Sequence, residues 1–290
     1  MARKRTLNVG ILNITTHPHS PENYLALLND VIERRYVAKT RGYDRVMLGK
    51  ISSIYEGDPL RGVKGVLKRF VEIDENKPWI NVNTGSPVLN GNGEPVKPVD
   101  GRLQPNYDAV NFVFFPRKHL MYFDAGRLSP RLAAKGMAGL FSHAEIIEKY
   151  NFTDVKCVVA DDEIERVMGV QVLNSVNIDF ILPNPDDISS EKRRIVERMQ
   201  RKRAKKLGVV YDSESSEGLN RDSELAALVS IAQDNGRVRA VGHEDGRKVK
   251  FDTDDHPEIL QERYDPSLMQ ANDVLLGAAE RHYGVRNRER

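Results

Sequence analysis

The apolar residues of this chain come in short runs, and that segmentation narrows its fold more than any single motif. No run approaches the roughly 20 residues that a membrane-spanning helix needs. Instead the spacing switches between period two and period three to four. Leu7, Val9, Ile11 and Ile14 alternate among Asn and Thr, which predicts a strand over 6–15. Ser20-Pro21-Glu22 then reads as a helix start, with serine as N-cap and proline at the first helical position. Apolar residues at 24, 25, 27, 28, 31, 32 and 36 carry that helix to about Ala38, and Gly42 stops it. Strands follow over 45–54 and 65–73, around the turn Glu56-Gly57-Asp58-Pro59. The Gly-, Pro- and Asn-rich stretch 83–105 reads as a long loop or hairpin, and Trp79 just before it as a core or subdomain-junction anchor. Strands over 109–115 and 120–123 are joined by Pro116-Arg117-Lys118-His119. Ser129-Pro130 opens a helix whose apolar face runs through Leu132, Met137, Leu140 and Phe141 to Ile147.

The later part predicts a strand over 154–160, a short helix over 162–169 and a strand over 172–182. After Pro183-Asn184-Pro185 comes a highly charged helix over 188–206. A helix over 223–233, a hairpin of 237–241 with 248–251 about Glu244-Asp245-Gly246, and a helix over 267–282 complete the chain. This order predicts an α+β fold of mixed, largely antiparallel sheets with packed helices. A length of 290 residues accommodates two subdomains, expected at 1–125 and 126–290.

Composition removes several function classes. The single cysteine, Cys157, allows neither an internal disulfide nor a multi-cysteine zinc site, and it suits a reducing cytoplasm. The start, MARKRTLNVGILNIT, has a basic tip but too polar an apolar stretch for a signal peptide. There is no GxxxxGK[ST] loop and no GxSxG elbow. The formal net charge is only +2, so the molecule is not a basic coat. Its charge is, however, unevenly placed. Residues 211–260 carry twelve acidic and six basic side chains.

The opposite extreme is EKRRIVERMQRKRAKK, residues 191–206. Nine cations stand there against two glutamates: Lys192, Arg193, Arg194, Arg198, Arg201, Lys202, Arg203, Lys205 and Lys206. As one helix the stretch would be about 24 Å long. Ile195, Val196 and Met199 leave a narrow apolar stripe that can dock on a core, turning the cations outward. Such a row can neutralise phosphates and release counterions, giving salt-dependent binding with little sequence preference. Aromatic residues are not interleaved, so duplex backbone fits better than stacked single strands. The alternative is a solvated helix paired with the acidic 211–260 segment. Arg3, Lys4 and Arg5, the group Arg61, Lys64, Lys68 and Arg69, and Arg281, Arg286, Arg288 and Arg290 are smaller basic groups that could extend the surface.

Other clusters point toward chemistry less strongly. His17-Pro18-His19 has short spacing but no accompanying carboxylate. Asp161-Asp162-Glu163 and Asp254-Asp255-His256 could each serve a two-metal nuclease. The first reads better as a helix N-cap with acids on the dipole, and the second as a solvated turn. Cys157, in an apolar strand, reads as inert packing. No metal or cofactor is expected.

Residues 150–282 resemble the RexA-like phage-exclusion family of temperate bacteriophages and a related uncharacterised bacterial family. The resemblance rests on VKCVVADDEIERVMGVQVLNSVNIDFILPNPD followed by the basic helix, and on RVRAVGHEDGRKVKFDTDD followed by Tyr264 and a terminal helix. It implies an intracellular protein that binds double-stranded DNA, often as a homodimer, in defence against phage. It also implies signalling to an effector, membrane-bound or otherwise. The family offers no catalytic motif to carry over, and the 83–105 loop departs from it. The expected function is therefore sequence-nonspecific binding of duplex DNA through the nine cations. A metal-dependent nuclease and a protein-interaction adaptor are the alternatives.

Overall fold

A computed structural model of the chain describes residues 4–96, 100–150, 152–183 and 190–286. The α+β class with antiparallel sheets, expected from the apolar spacing, is what it shows. The chain opens with β1 (Arg5–His17) and α1 (Pro21–Glu33), where the Ser20 side chain accepts from the Asn23 amide as N-cap. It continues through β2 (Ala38–Lys39), β3 (Asp44–Leu48), β4 (Ser52–Ser53) and β5 (Val63–Val71). The hairpin β6 (Trp79–Asn81) and β7 (Ser86–Val88) projects next, before β8 (Asp108–Phe115) and β9 (Leu120–Asp124). Two helices follow, α2 (Pro130–Phe141) and α3 (Ala144–Tyr150), then β10 (Phe152–Cys157). After α4 (Asp161–Gly169) come β11 (Val172–Ile181), α5 (Ser190–Arg201), β12 (Lys206–Asp212) and α6 (Ser223–Asn235). The hairpin β13 (Gly236–Glu244) and β14 (Arg247–Asp252), then β15 (Ile259–Tyr264) and α7 (Ala271–Arg286), end the described chain.

A nine-stranded sheet runs β10-β1-β9-β8-β5-β3-β2, with β15 also on β1 and β4 on β5. Strand alternation gives it two buried faces. Leu12, Ile14, Phe112, Phe114, Met121 and Phe123 pack under α1, α2 and α3. Val9, Ile11, Val113, Phe115 and Tyr122 point the other way, under α7. Each such fully buried side chain contributes about 1.5–3 kcal/mol. Gly10 pairs with Phe123, and a Cβ on it would stand 2.6 Å from Phe123 Cζ, so this crossing needs glycine.

The four-stranded second sheet runs β12-β11-β13-β14, covered on one face by α5 and α6. All of it is inserted between β10 and β15, which lie end to end along the same edge of β1. The expected boundary at 125/126 therefore does not separate the two sheets. β10, β15 and α7 belong with the first, because their partners are long-range backbone groups of β1 rather than sequence neighbours. Helix α1 stops at Glu33 rather than near Ala38, with Arg35 in the left-handed region at φ 55°. Trp79 lies on the exposed hairpin, not in the core. No helix among the described residues is long and apolar enough to cross a membrane.

Candidate nucleic-acid interface

Helix α5 is docked by the stripe its sequence announces. Ile195, Val196 and Met199 are buried, and Ile195 and Met199 pack with Leu225, Leu228 and Ala232 of α6 and with Val176 and Ile178 of β11. Its other faces carry Arg193, Arg194, Arg198 and Arg201, all exposed. Arg194, Arg198 and Arg201 stand at i, i+4 and i+7. They therefore share one face and span about 10 Å of axis. Together with Glu191, Asp222, Ser223 and Glu224 they line a groove of about 560 Å³ between α5 and the first turn of α6.

The helix is shorter than the sequence predicts. It ends at Arg201, so its twelve residues span about 18 Å rather than 24 Å. Ile188, the expected start, lies outside the described residues. The stop is a Schellman turn. The Arg203 amide donates to the Gln200 carbonyl at 2.9 Å, and the Ala204 amide donates to the Met199 carbonyl at 2.9 Å. Arg203 takes the left-handed conformation at φ 52°, a place usually filled by glycine. Ala204 then packs on the same core as Met199, the apolar contact that accompanies this motif.

The nine sequence-predicted cations consequently do not form one rod. Lys192 to Arg201 are on α5, Lys202 and Arg203 are in the turn, and Lys206 opens β12. Lys205 lies between turn and strand, its carbonyl accepting from the Leu182 amide at 2.9 Å. Lys206 points to the face of the sheet away from α5, with Nζ 3.6 Å from Asp179 Oδ1. Arg193, Arg194, Arg201, Lys202 and Arg203 make no ion pair with any described residue, while Arg198 Nη1 is 4.0 Å from Glu224 Oε1. That long contact links α5 to the acidic segment 211–260. Much of that segment's negative charge is committed elsewhere. Asp222 caps α6 through the Leu225 amide, and Asp252 and Asp254 hold Arg237.

The two acidic clusters, read separately in the sequence, meet in space. Val159 bridges Pro257, and the Ala160 amide donates to the His256 carbonyl. Glu163 is buried, with Oε2 accepting from Arg166 Nη1 at 2.7 Å and Oε1 3.6 Å from His256 Nε2. Asp161 accepts from Gln233 rather than capping α4, whose N-cap is Ala160. Asp255 accepts from Arg131 Nη2 at 2.6 Å. Most of these carboxylates thus pair with other side chains, and no group of three or more His, Cys, Asp or Glu side chains suited to a metal forms among the described residues. Burial, followed by the nearby Asp254 charge, pushes the Cys157 thiol up to about 11, so it is protonated and unreactive at neutral pH.

The sequence reading missed a polar junction between the sheets. Asn13 is buried in β1, between the buried Leu12 and Ile14. Its Nδ2 donates to the Asp234 carbonyl at 2.7 Å and to Asn235 Oδ1 at 3.2 Å, at the end of α6. Its Oδ1 accepts from His119 Nδ1 at 2.5 Å. The His119 ring stacks on Tyr24 and meets His19 edge-on, and Tyr24 Oη lies 3.0 Å from His19 Nδ1. The available signal was Asn13 standing between Leu12 and Ile14, in the most apolar part of the strand. His17 and His19 therefore sit at a packed seam rather than in an open metal loop.

Of the smaller basic groups, Arg3, Arg288 and Arg290 lie outside the described residues. Arg281 is paired with Glu262, and Arg69 with Asp44. The family model described as "Domain of unknown function (DUF4747)" matches residues 5–280, so the chain belongs to that family. No curated protein matches it.

Proposed function

We propose that this member of the DUF4747 family binds the backbone of double-stranded DNA, without sequence preference, through α5 and the turn after it. The observation that carries the reading is the set of exposed cations that make no ion pair with a described residue: Arg193, Arg194, Arg201, Lys202 and Arg203. A solvated structural helix would be expected to balance such charges at i+4 or across α6. Here α5 has Glu191 and Glu197 against four arginines and one lysine, so phosphate is the natural complement. The resemblance of residues 150–282 to RexA-like phage-exclusion proteins supplies the setting. In this reading the protein is cytoplasmic, acts in defence against phage, and passes DNA engagement to an effector.

Electrophoretic mobility shift across a salt series tests the idea. Each phosphate neutralised contributes about 0.9 to the slope of log affinity against log salt. The triple variant Arg194→Ala, Arg201→Ala, Lys202→Ala is expected to flatten that slope by about 2.7 and to weaken all duplex sequences alike. An unchanged slope would place the contact elsewhere.

A further inference from the structure

The second sheet has two free edges, and they are built differently. On β14 the edge carries Arg247, Lys248 and Lys250, the cationic guard that discourages strand addition. On β12, KLGVVYD, the one cation is Lys206 at the first position, and none stands along Leu207–Tyr211. The strand pairs with β11 on one side. On the other side, no hydrogen bond from its backbone to a described residue is present. Val210 is 60% exposed and Tyr211 38% exposed on this strand. Lys206 and Asp212 stand at opposite ends.

That order is self-complementary. In an antiparallel pair centred on Val209, Lys206 lies opposite Asp212 of the second strand, Leu207 opposite Tyr211, and Gly208 opposite Val210. Lys206, Gly208, Val210 and Asp212 share the open face of the sheet. Leu207, Val209 and Tyr211 share the face toward α5 and α6, because they pair with Phe180, Ile178 and Val176, whose side chains lie in that core. The charge match therefore falls on the solvated face and the apolar match on the packed one. Two-fold symmetry makes the Lys–Asp pair occur twice.

We propose that β12 is the interface between two copies of this chain, which join edge to edge by antiparallel pairing about Val209. The two four-stranded sheets then continue into one of eight strands. Both α5 helices lie on the same side of it, since each packs on the face that carries Leu207 and Val209. The inference uses only the strand's chemistry and stands whether or not α5 contacts DNA.

The test is sedimentation velocity on the full chain over a wide concentration range, with two classes of variant. Asp212 makes no ion pair with described residues, so Asp212→Lys leaves the monomer's pairing intact while placing two lysines opposite each other at both ends. It is expected to weaken the dimer roughly ten-fold, from two symmetric cross-strand pairs changed in sign. The double variant Lys206→Asp, Asp212→Lys restores opposite charges across the pair, at the loss of the Lys206–Asp179 contact within each copy, and is expected to recover most of the dimer. Register is read separately by oxidation. Val209→Cys is expected to cross-link to itself, whereas Val210→Cys, two residues out of register with its own copy, is not. A monomer at every concentration, a dimer indifferent to Asp212→Lys, or cross-linking at 210 in place of 209 would each overturn the proposal.

Discussion

Strand β1 and strand β12 mark the two extremes of this molecule. Along β1, Val9, Ile11, Leu12 and Ile14 are buried on alternate faces, and both edges are occupied, by β9 on one side and by β10 and β15 on the other. Along β12, five of seven residues are exposed, and one backbone edge is free of partners among the described residues. The nine-stranded sheet has used its polar backbone and its apolar faces on itself. The inserted sheet has used one face and one edge of β12, and it also carries the unpaired arginines. The closed backbone and the unpaired edge and arginines thereby fall in different parts of one chain, the first closed by β10 and β15, the second threaded between them.

Asn13 is where that division can be broken most severely. Its amide is the side-chain tie from the middle of β1 to the end of α6. Asn13→Ala withdraws the donor from the Asp234 carbonyl and the acceptor from His119 Nδ1 inside a buried seam, at an expected cost of about 1–3 kcal/mol. Hydrogen exchange resolves where the loss falls. Amides of β11 and β13 are expected to open at lower free energy than those of β1, which stay protected by their own sheet. Equal loss in both sheets would mean that the seam does not divide the molecule.

The same seam responds to acid. Burial, with His19 and Lys205 nearby, holds the His17 imidazole below its ordinary value of 6.5, outweighing a backbone hydrogen bond with Leu182 that acts the other way. A lowered value means that the folded state prefers the neutral ring. Its stabilising contribution is present above about pH 6.5 and is lost as pH falls through the lower folded value. Denaturant midpoints measured from pH 7.5 to pH 5 are expected to fall less steeply for His17→Gln than for the natural chain. Parallel curves would show that the ring does not couple the seam to pH.

Much of this was readable locally. Period two placed β1, short apolar runs placed β8 and β9, and the Ser-Pro signals placed the starts of α1 and α2. The Glu244-Asp245-Gly246 bend formed as expected, with Asp245 and Gly246 both at positive φ. On α5 the buried stripe and the outward arginines were legible because both follow from a single helical period. What sequence could not supply was of two kinds. The partners of β10 and β15 are set by long-range backbone pairing, so the true insertion was invisible and the boundary was misplaced. The end of α5 was invisible because Arg203, rather than glycine, holds the left-handed position. Lys205 and Lys206 then read as more helix, when Lys205 lies past the turn and Lys206 begins a strand.

That residue gives the finest test of the comparison between the stable and the recognising parts. At φ 52° an arginine pays a conformational penalty that glycine does not, while the Schellman hydrogen bonds use only backbone. Arg203→Gly is expected to stabilise the inserted sheet by roughly 0.5 kcal/mol, the net of relieved strain over lost chain stiffness. It also removes one exposed cation with no ion pair. If the turn is kept strained because it presents that charge, the same variant lowers the salt slope of DNA binding by about 0.9 while raising the melting temperature. Stability rising with the slope unchanged would show that Arg203 contributes nothing to recognition. Stability falling would show that its side chain holds the turn in a way the backbone bonds do not explain.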